Sequence, residues 1–392
     1  KKGEEDKGMS DATLTAGHET GAIVARDQQR YSAKHEYNKT ELIAHAARAS
    51  GRGAFGIGME AAKFRKGRQK IELDEYVKFR LYDAEAHSEQ ERGEFISWLL
   101  QNAIIHEVND LHWFAVTEDK WLSAKLLEAD GLPVPQTLGV IDRTGRAYHG
   151  SAPLSGPQTL RAAIGGGLDG PLFGKNMRGL GSVGVFTILS ADCEGLMLRD
   201  HGPMSYEHFF ASIIGENAFI LQKFVSNCGF LREYTDTTAT VRVVNMVDGD
   251  GVFVPAAVLK LPSQRNQADN FWRDGNMLCD IDPETGEIRT LVQSEGPELR
   301  HLEAHPETGT AILGQRLPHW EALREVNERV ARLHAPLRYQ STDIALTDAG
   351  PVVIEVNAGS SFTLPQYAKG KGFMTPKVRQ LFRSWGSKIV WE

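Results

Sequence analysis

Ser341-Thr342-Asp343-Ile344-Ala345-Leu346-Thr347-Asp348-Ala349-Gly350-Pro351-Val352-Val353-Ile354-Glu355-Val356-Asn357 reads as two strands of β-type residues flanking Asp348-Ala349-Gly350. A three-residue loop with glycine at its left-handed position predicts a hairpin. A turn centred on Ala349 pairs Thr347 with Pro351, Ala345 with Val353 and Asp343 with Glu355, and alternation puts Asn357 on the face of Glu355. Two carboxylates opposed across a ladder, with Cβ atoms roughly 5 Å apart, repel each other. A hard cation between them turns that repulsion into a site. An Asp, a Glu and an Asn oxygen, with positions left for water and phosphate, are what Mg2+ prefers. The same stretch is also compatible with a solvent-facing hairpin edge that carries ordinary negative charge.

Upstream of the hairpin, short apolar runs at 171–174, 184–189, 218–225, 238–247 and 252–261 are separated by Gly, Asp and Asn, as in antiparallel sheet. Between the first two lies Gly174-Lys175-Asn176-Met177-Arg178-Gly179-Leu180-Gly181-Ser182-Val183-Gly184, which contains a literal G-x-G-x-x-G. A dinucleotide fingerprint needs a helix after such a loop, and here a strand-like run follows. A glycine loop between strands suits a flexible flap whose N–H groups approach phosphates, with Lys175 in reach of them. A surface hairpin with glycines for a tight turn reads the same way. No H-R-D or D-F-G triplet follows, which argues against a protein kinase.

The remaining elements are helical. Leu323, Val326, Val330 and Leu333 share one face of an amphipathic helix, a second helix is expected from Asn38 to Arg48, and helical spacing runs from Glu72 to about Val116. Thr117 reads as the N-cap of a helix through Leu127 that ends at Asp130-Gly131. Lys120 then falls in its first turn, where the helix dipole disfavours a cation. Helices segregated against antiparallel strands make the fold class α+β.

The 392 residues exceed what one core supports, and 41% hydrophobic with 24% charged residues is ordinary for a globular chain. A net charge of −7 gives no general case for nucleic acid or an anionic membrane surface. No apolar run reaches the roughly 20 residues of a membrane span. The start, Lys1-Lys2-Gly3-Glu4-Glu5-Asp6-Lys7, does not read as a secretory signal, so a cytoplasmic protein is expected; residues before Met9 are set aside from the fold reading. Cys193, Cys228 and Cys279 are far apart, without C-x-x-C, and read as reduced thiols; the thirteen histidines form no H-E-x-x-H.

Taken together these pieces resemble the ATP-grasp superfamily and, within it, the sugar-transfer-associated ATP-grasp proteins. The resemblance spans roughly residues 75 to 370. It is carried by D-K-W-L-S-A-K-L-L-E-A-D-G-L-P-V-P (119–135), F-G-K-N-M-R-G-L-G-S-V-G-V (173–185), F-I-L-Q-K-F-V (219–225), T-V-R-V-V-N-M-V (240–247), D-N-F-W-R-D-G-N (269–276), D-P-E-T-G-E-I (282–288), H-P-E-T-G (305–309) and the hairpin with its following Ala-Gly (343–359). It implies two α+β subdomains gripping ATP, with Lys120 and Lys175 as phosphate-binding lysines and Gly179, Gly181 and Ser182 in the flap. Gln222, Lys223, Phe224 and Val225 resemble the hinge that reads adenine through its backbone, with Gln where Glu is common. Arg242 resembles the arginine that steadies the transferring groups, and Asp343, Glu355 and Asn357 match the magnesium ligands. Lys260, Asn270 and Gln366 are candidates on the acceptor side. The sequence departs from the family in lacking a βαβ pattern before about residue 115, and in reading Thr342-Asp343 where Trp-Asp is frequent.

The implied organisation is a polar, partly flexible segment at 1–70 and a helical domain at 71–155. A small subdomain with flap and hinge follows at 156–225, then a C-terminal subdomain with the metal site at 226–392. The implied chemistry is ATP- and Mg-dependent joining of a small-molecule carboxylate and an amine through an acyl phosphate. A kinase acting on a hydroxyl and a nucleotide-binding protein without turnover remain open, and oligomeric state is not addressed by the sequence.

Overall fold

The computed structural model describes residues 22–32, 37–179, 181–249 and 251–392. The chain divides into two compact units. The first comprises Thr137–Lys223 with the helix Ala22–Ser32, and the second Phe224–Glu392 with the described residues of Ala33–Gln136.

The sheet of the first unit contains β1 (Thr137–Ile141), β2 (Ala152–Pro153), β3 (Leu172–Asn176), β4 (Val185–Ala191), β5 (Leu196–Leu198), β6 (Gly202–Met204) and β7 (Phe219–Lys223). Their order is β2-β1-β7-β3-β4-β5-β6, antiparallel apart from the β1–β2 pair. Ile188, Phe209, Phe219 and Leu221 form its core with Phe186, whose ring lies across Gly174. A Cβ at Gly174 would stand 2.1 Å from that ring. Gly174, which the sequence places at the edge of a phosphate loop, is thus a packing glycine inside β3.

The second sheet contains β8 (Thr240–Asp248), β9 (Gly251–Leu261), β10 (Met277–Ile281), β11 (Val292–Glu295), β12 (Glu298–His301), β13 (Tyr339–Thr347) and β14 (Gly350–Asn357). Its order is β12-β11-β10-β9-β8-β13-β14, antiparallel throughout. Alternation sends Val241, Val243, Leu259, Leu261, Ile344 and Leu346 to one face, against Trp320 and Leu323 of the helix Trp320–Leu333. On the other face Val258, Leu278 and Val292 pack against Tyr76, Val77 and Phe79, and Val244, Ala256 and Tyr339 against Ile104 and Ile105. The N-terminal helices therefore share the core of the second sheet. The division read from the sequence groups them separately, because helical periodicity says nothing about which sheet a helix covers.

The hairpin reaches its expected pairing by another route. Its turn has two residues, Asp348 and Ala349, and the ladder runs Thr347 with Gly350, Leu346 with Pro351, Ala345 with Val352 and Ile344 with Val353. The expected pairs Thr347–Pro351 and Ala345–Val353 do not form. The register then shifts by one residue at a bulge that leaves Ile354 over, and Asp343 faces Glu355 as expected. Gly350, at φ 120°, opens the return strand instead of occupying a loop. Asp348 pins the turn by accepting from the Gly229 N–H at 2.8 Å and from Arg232 at 2.8 Å.

The helix expected from Asn38 is Lys39–Ser50, with Asn38 as its cap. Among the described residues no helix is long and apolar enough to cross a membrane.

Gly174→Ala is expected to lower stability by about 1–3 kcal/mol through overpacking against Phe186. Denaturant unfolding checks this, and Gly174→Ala combined with Phe186→Leu is expected to recover part of the loss.

A candidate active site on the charged face of the second sheet

Cross-strand register lines up the ionisable side chains. Asp343 of β13 pairs with Glu355 on one side and Arg242 of β8 on the other, and Arg242 pairs with Val258 of β9. Thr240 pairs with Lys260. Directly paired residues share a face, so Glu355, Asp343, Arg242, Thr240 and Lys260 point to the same side. A polar row on a sheet face that is otherwise apolar is costly unless its members satisfy one another.

They do. Arg242 donates from Nε and from an Nη to the two Asp343 oxygens at 2.8 and 2.7 Å, a bidentate fork. Lys260 Nζ lies 3.0 Å from Asp343 and 3.2 Å from Asp269, and the Thr240 hydroxyl donates to Asp269. Asp343 is 2% exposed and Lys260 5%, so these charges are out of water. Burial alone would raise the Asp343 carboxyl; Arg242 and Lys260 outweigh it and hold it well below the usual carboxylate range. Burial likewise works against the Arg242 charge, but Asp343, then Glu355 and Asp269, raise its pKa above the ordinary value.

Lys120 meets this row from a helix. The helix Lys120–Ala129 is capped by Asp119, whose carboxylate accepts from the Trp121 and Leu122 N–H groups. Thr117, expected as the cap, is instead buried in the preceding helix with its hydroxyl on the Phe114 carbonyl. Leu127 of the capped helix and Leu132 just beyond it pack on Val353 and Val356, and the Pro133 carbonyl accepts from the Val353 N–H at 2.8 Å. That docking brings Lys120 Nζ to 3.1 Å from Glu355.

The second unit therefore brings together Lys120, Arg242, Lys260, Asp343 and Glu355 from the sequence reading. Asn357 closes the same strand opposite Ser341 and carries a buried Nδ2 with no hydrogen-bond partner. Asp269 was missed: it stood beside the residue singled out, Asn270, whose carbonyl serves a turn by accepting from Arg273 and Asn276. Asn109 was missed too. Its amide donates to the Tyr339 and Ala358 carbonyls at 2.7 Å each and accepts from the Tyr339 N–H, clamping both ends of the hairpin. Nothing in its local sequence marks it, since its partners are 230 and 249 residues away. Gln366 is 1% exposed and exchanges both amide hydrogen bonds with the backbone of Ile96. Its task is structural.

In the first unit the glycine loop joins β3 to β4. Gly181 and Ser182 both take left-handed backbone, at φ 67° and 56°. The expected flap is anchored at its base: Asp27 accepts from the Gly184 N–H at 3.0 Å, and a Cβ at Gly184 would stand 2.6 Å from Val24. Lys175 lies on β3 over the Phe173 ring, and Gly179 packs against Asn176. Gln222 and Lys223 close β7, where the Gln222 amide donates to Thr137 at 3.3 Å and Lys223 pairs with Asp169 at 2.9 Å. Phe224 and Val225 continue the chain into the second unit, and the Val225 carbonyl accepts from Thr238.

Among the described residues no three His, Cys, Asp or Glu side chains form a metal cage. Two carboxylates and a partly unsatisfied amide still suit Mg2+, which keeps waters and substrate phosphates in its shell. The carboxylates that would hold it are here neutralised by Lys120, Arg242 and Lys260.

The profile of a family described as sugar-transfer associated ATP-grasp matches residues 100–380. Among solved structures, D-alanine–D-alanine ligase from Bacillus anthracis is similar at 14% identity and a TM-score of 0.39, over 75% of this chain and 76% of that one. Biotin carboxylase from Campylobacter jejuni matches at 11% identity and 0.39, over 73% and 49%. L-amino acid ligase from Bacillus licheniformis matches at 12% and 0.36, over 69% and 48%. A sequence comparison with curated proteins finds no significant match. The family match decides the assignment; the structural likenesses are too distant to bear on the reaction.

Asp343→Asn is expected to cost about 3–5 kcal/mol by leaving two buried cations short of a partner. Because the folded pKa of Asp343 lies below the ordinary 3.8, the wild-type advantage is full above pH 3.8 and shrinks as pH falls below it. Urea unfolding of both proteins across that range checks the sign.

Proposed function

This chain belongs to the sugar-transfer associated ATP-grasp family, and from that premise we propose that it is an ATP- and Mg-dependent ligase joining a small-molecule carboxylate to an amine. The observation that carries the reading is the opposed Asp343–Glu355 pair, met by Lys120, Arg242 and Lys260 on one sheet face. Phosphoryl transfer to a carboxylate asks a protein for positioning and charge neutralisation, and for no nucleophile of its own. The γ-phosphoryl of ATP passes to a carboxylate oxygen and ADP leaves. The amine then attacks the acyl carbon, its nitrogen loses a proton and inorganic phosphate departs.

In this reading Arg242 and Lys260, fixed by Asp343 and Asp269, neutralise the anionic acceptor and the transferring group. Lys120, Lys175 and the loop of Gly179, Gly181 and Ser182 hold phosphates. Gln222, Lys223, Phe224 and Val225 read the base. Asp343, Glu355 and Asn357 would hold Mg2+, which when bound would offset phosphate charge. Lys120, 3.1 Å from Glu355, would then meet phosphate in its place. The donor chemistry supports a carboxylate acceptor over a hydroxyl, because three cations gather on this row, around Asp343, Glu355 and Asp269.

Screening carboxylates and amines by mass spectrometry for a dehydrated adduct is expected to find a pair for which phosphate release needs both acceptors. A phosphorylated product would establish a kinase instead. With that pair, Glu355→Ala is expected to lower kcat by about three orders of magnitude, ~4 kcal/mol; undiminished Mg-dependent turnover would remove the hairpin from the metal site. Lys120→Met is expected to tighten Mn2+ binding without nucleotide by about fivefold or more, since a competing cation is gone. Electron paramagnetic resonance titration reads this without any turnover.

A further inference from the structure

The helix Ala54–Lys66 has one face that nothing in the described structure covers. Phe55 is 84% exposed and Met59 60%, unusual values for such side chains. At about 100° per residue, positions 55, 59, 62, 63 and 66 fall within an arc of about 100°. The opposite side carries Ile57 and Ala61, buried among Leu42, Ala46 and Tyr76. The outward face is therefore apolar in its first half and cationic in its second, with Ala62, Lys63 and Lys66 following Met59.

The cations continue past the helix. Lys63, Lys66, Arg68 and Lys70 are exposed, and no carboxylate pairs with any of them among the described residues, whereas Arg52 is taken by Glu60 and Arg65 by Glu72. Four uncompensated positive charges within eight residues stand out in a chain of net charge −7. Two protruding apolar side chains beside such a cluster match the interfacial zone of an anionic bilayer. There the chains enter the acyl boundary and the cations meet headgroup phosphates.

We propose that the face of Phe55, Met59, Lys63 and Lys66, extended by Arg68 and Lys70, docks the protein on an anionic lipid surface. The contact is peripheral, since the helix is short and its other face belongs to the core. The apolar pair adds to the charge and distinguishes this face from a simple basic patch that would bind any polyanion.

Vesicle cosedimentation of the full chain tests it, with phosphatidylcholine alone and with added phosphatidylglycerol. Binding is expected only with phosphatidylglycerol, and to weaken at high salt. Lys63→Gln/Lys66→Gln/Arg68→Gln should reduce partitioning by about a hundredfold, at roughly fivefold per cation, and Phe55→Ser/Met59→Ser should reduce it at unchanged net charge. Both variants alter exposed side chains, so unfolding midpoints and ATP binding should match wild type. Absence of binding to phosphatidylglycerol vesicles overturns the proposal, as does binding that survives both variants. Capture of an acidic protein without vesicle binding also overturns it and assigns the face to a protein partner.

Discussion

The ion pair between Arg242 and Asp343, on adjacent interior strands of the second sheet, is the constraint around which that unit is arranged. Taking a guanidinium and a carboxylate out of water costs several kcal/mol each, and mutual attraction offsets this only with full hydrogen bonding. The bidentate fork supplies part of it. Lys260 occupies the remaining side of Asp343, and its own charge needs Asp269, which Thr240 in turn orients. Each added group answers the deficit left by the one before. The result is a group of charges that hold one another in place, which is the kind of preorganisation that charge-stabilised transfer requires.

The hairpin ties this row to the rest of the chain. Its turn is held by Asp348, its far ends by Asn109, and its outer strand by the Pro133 segment and the helix that carries Lys120. The bulge at Ile354 restores the register that brings Glu355 opposite Asp343. Charge balance follows: Lys120, Arg242 and Lys260 meet Glu355, Asp343 and Asp269, three cations and three carboxylates. Under the proposed function a metal ion held by Asp343 and Glu355 would leave those cations to meet phosphate.

The charge of the whole chain conceals the other surface. A net charge of −7 argues against anionic partners, yet electrostatic attraction acts over about 10 Å at moderate salt. The local concentration of Lys63, Lys66, Arg68 and Lys70 is what a bilayer would meet. Site and surface draw on different parts of the second unit: the sheet face and the second of its N-terminal helices.

Sequence alone determined that a β-hairpin carries Asp343 and Glu355 on its two strands, that antiparallel strands surround it, and that the family is ATP-grasp. Period-2 alternation and turn residues are local signals, and ordered motifs survive in one dimension. The turn is one residue shorter than its residues suggest and the bulge at Ile354 offsets the difference, a compensation that leaves no mark in composition. Only tertiary structure decided that Asp269 and Asn109 support the site, that Gln366 and Gly174 serve packing, and that Asp27 anchors the glycine loop. Those roles depend on partners from 9 to 270 residues away, and no local pattern encodes which distant backbone a buried amide or carboxylate must satisfy.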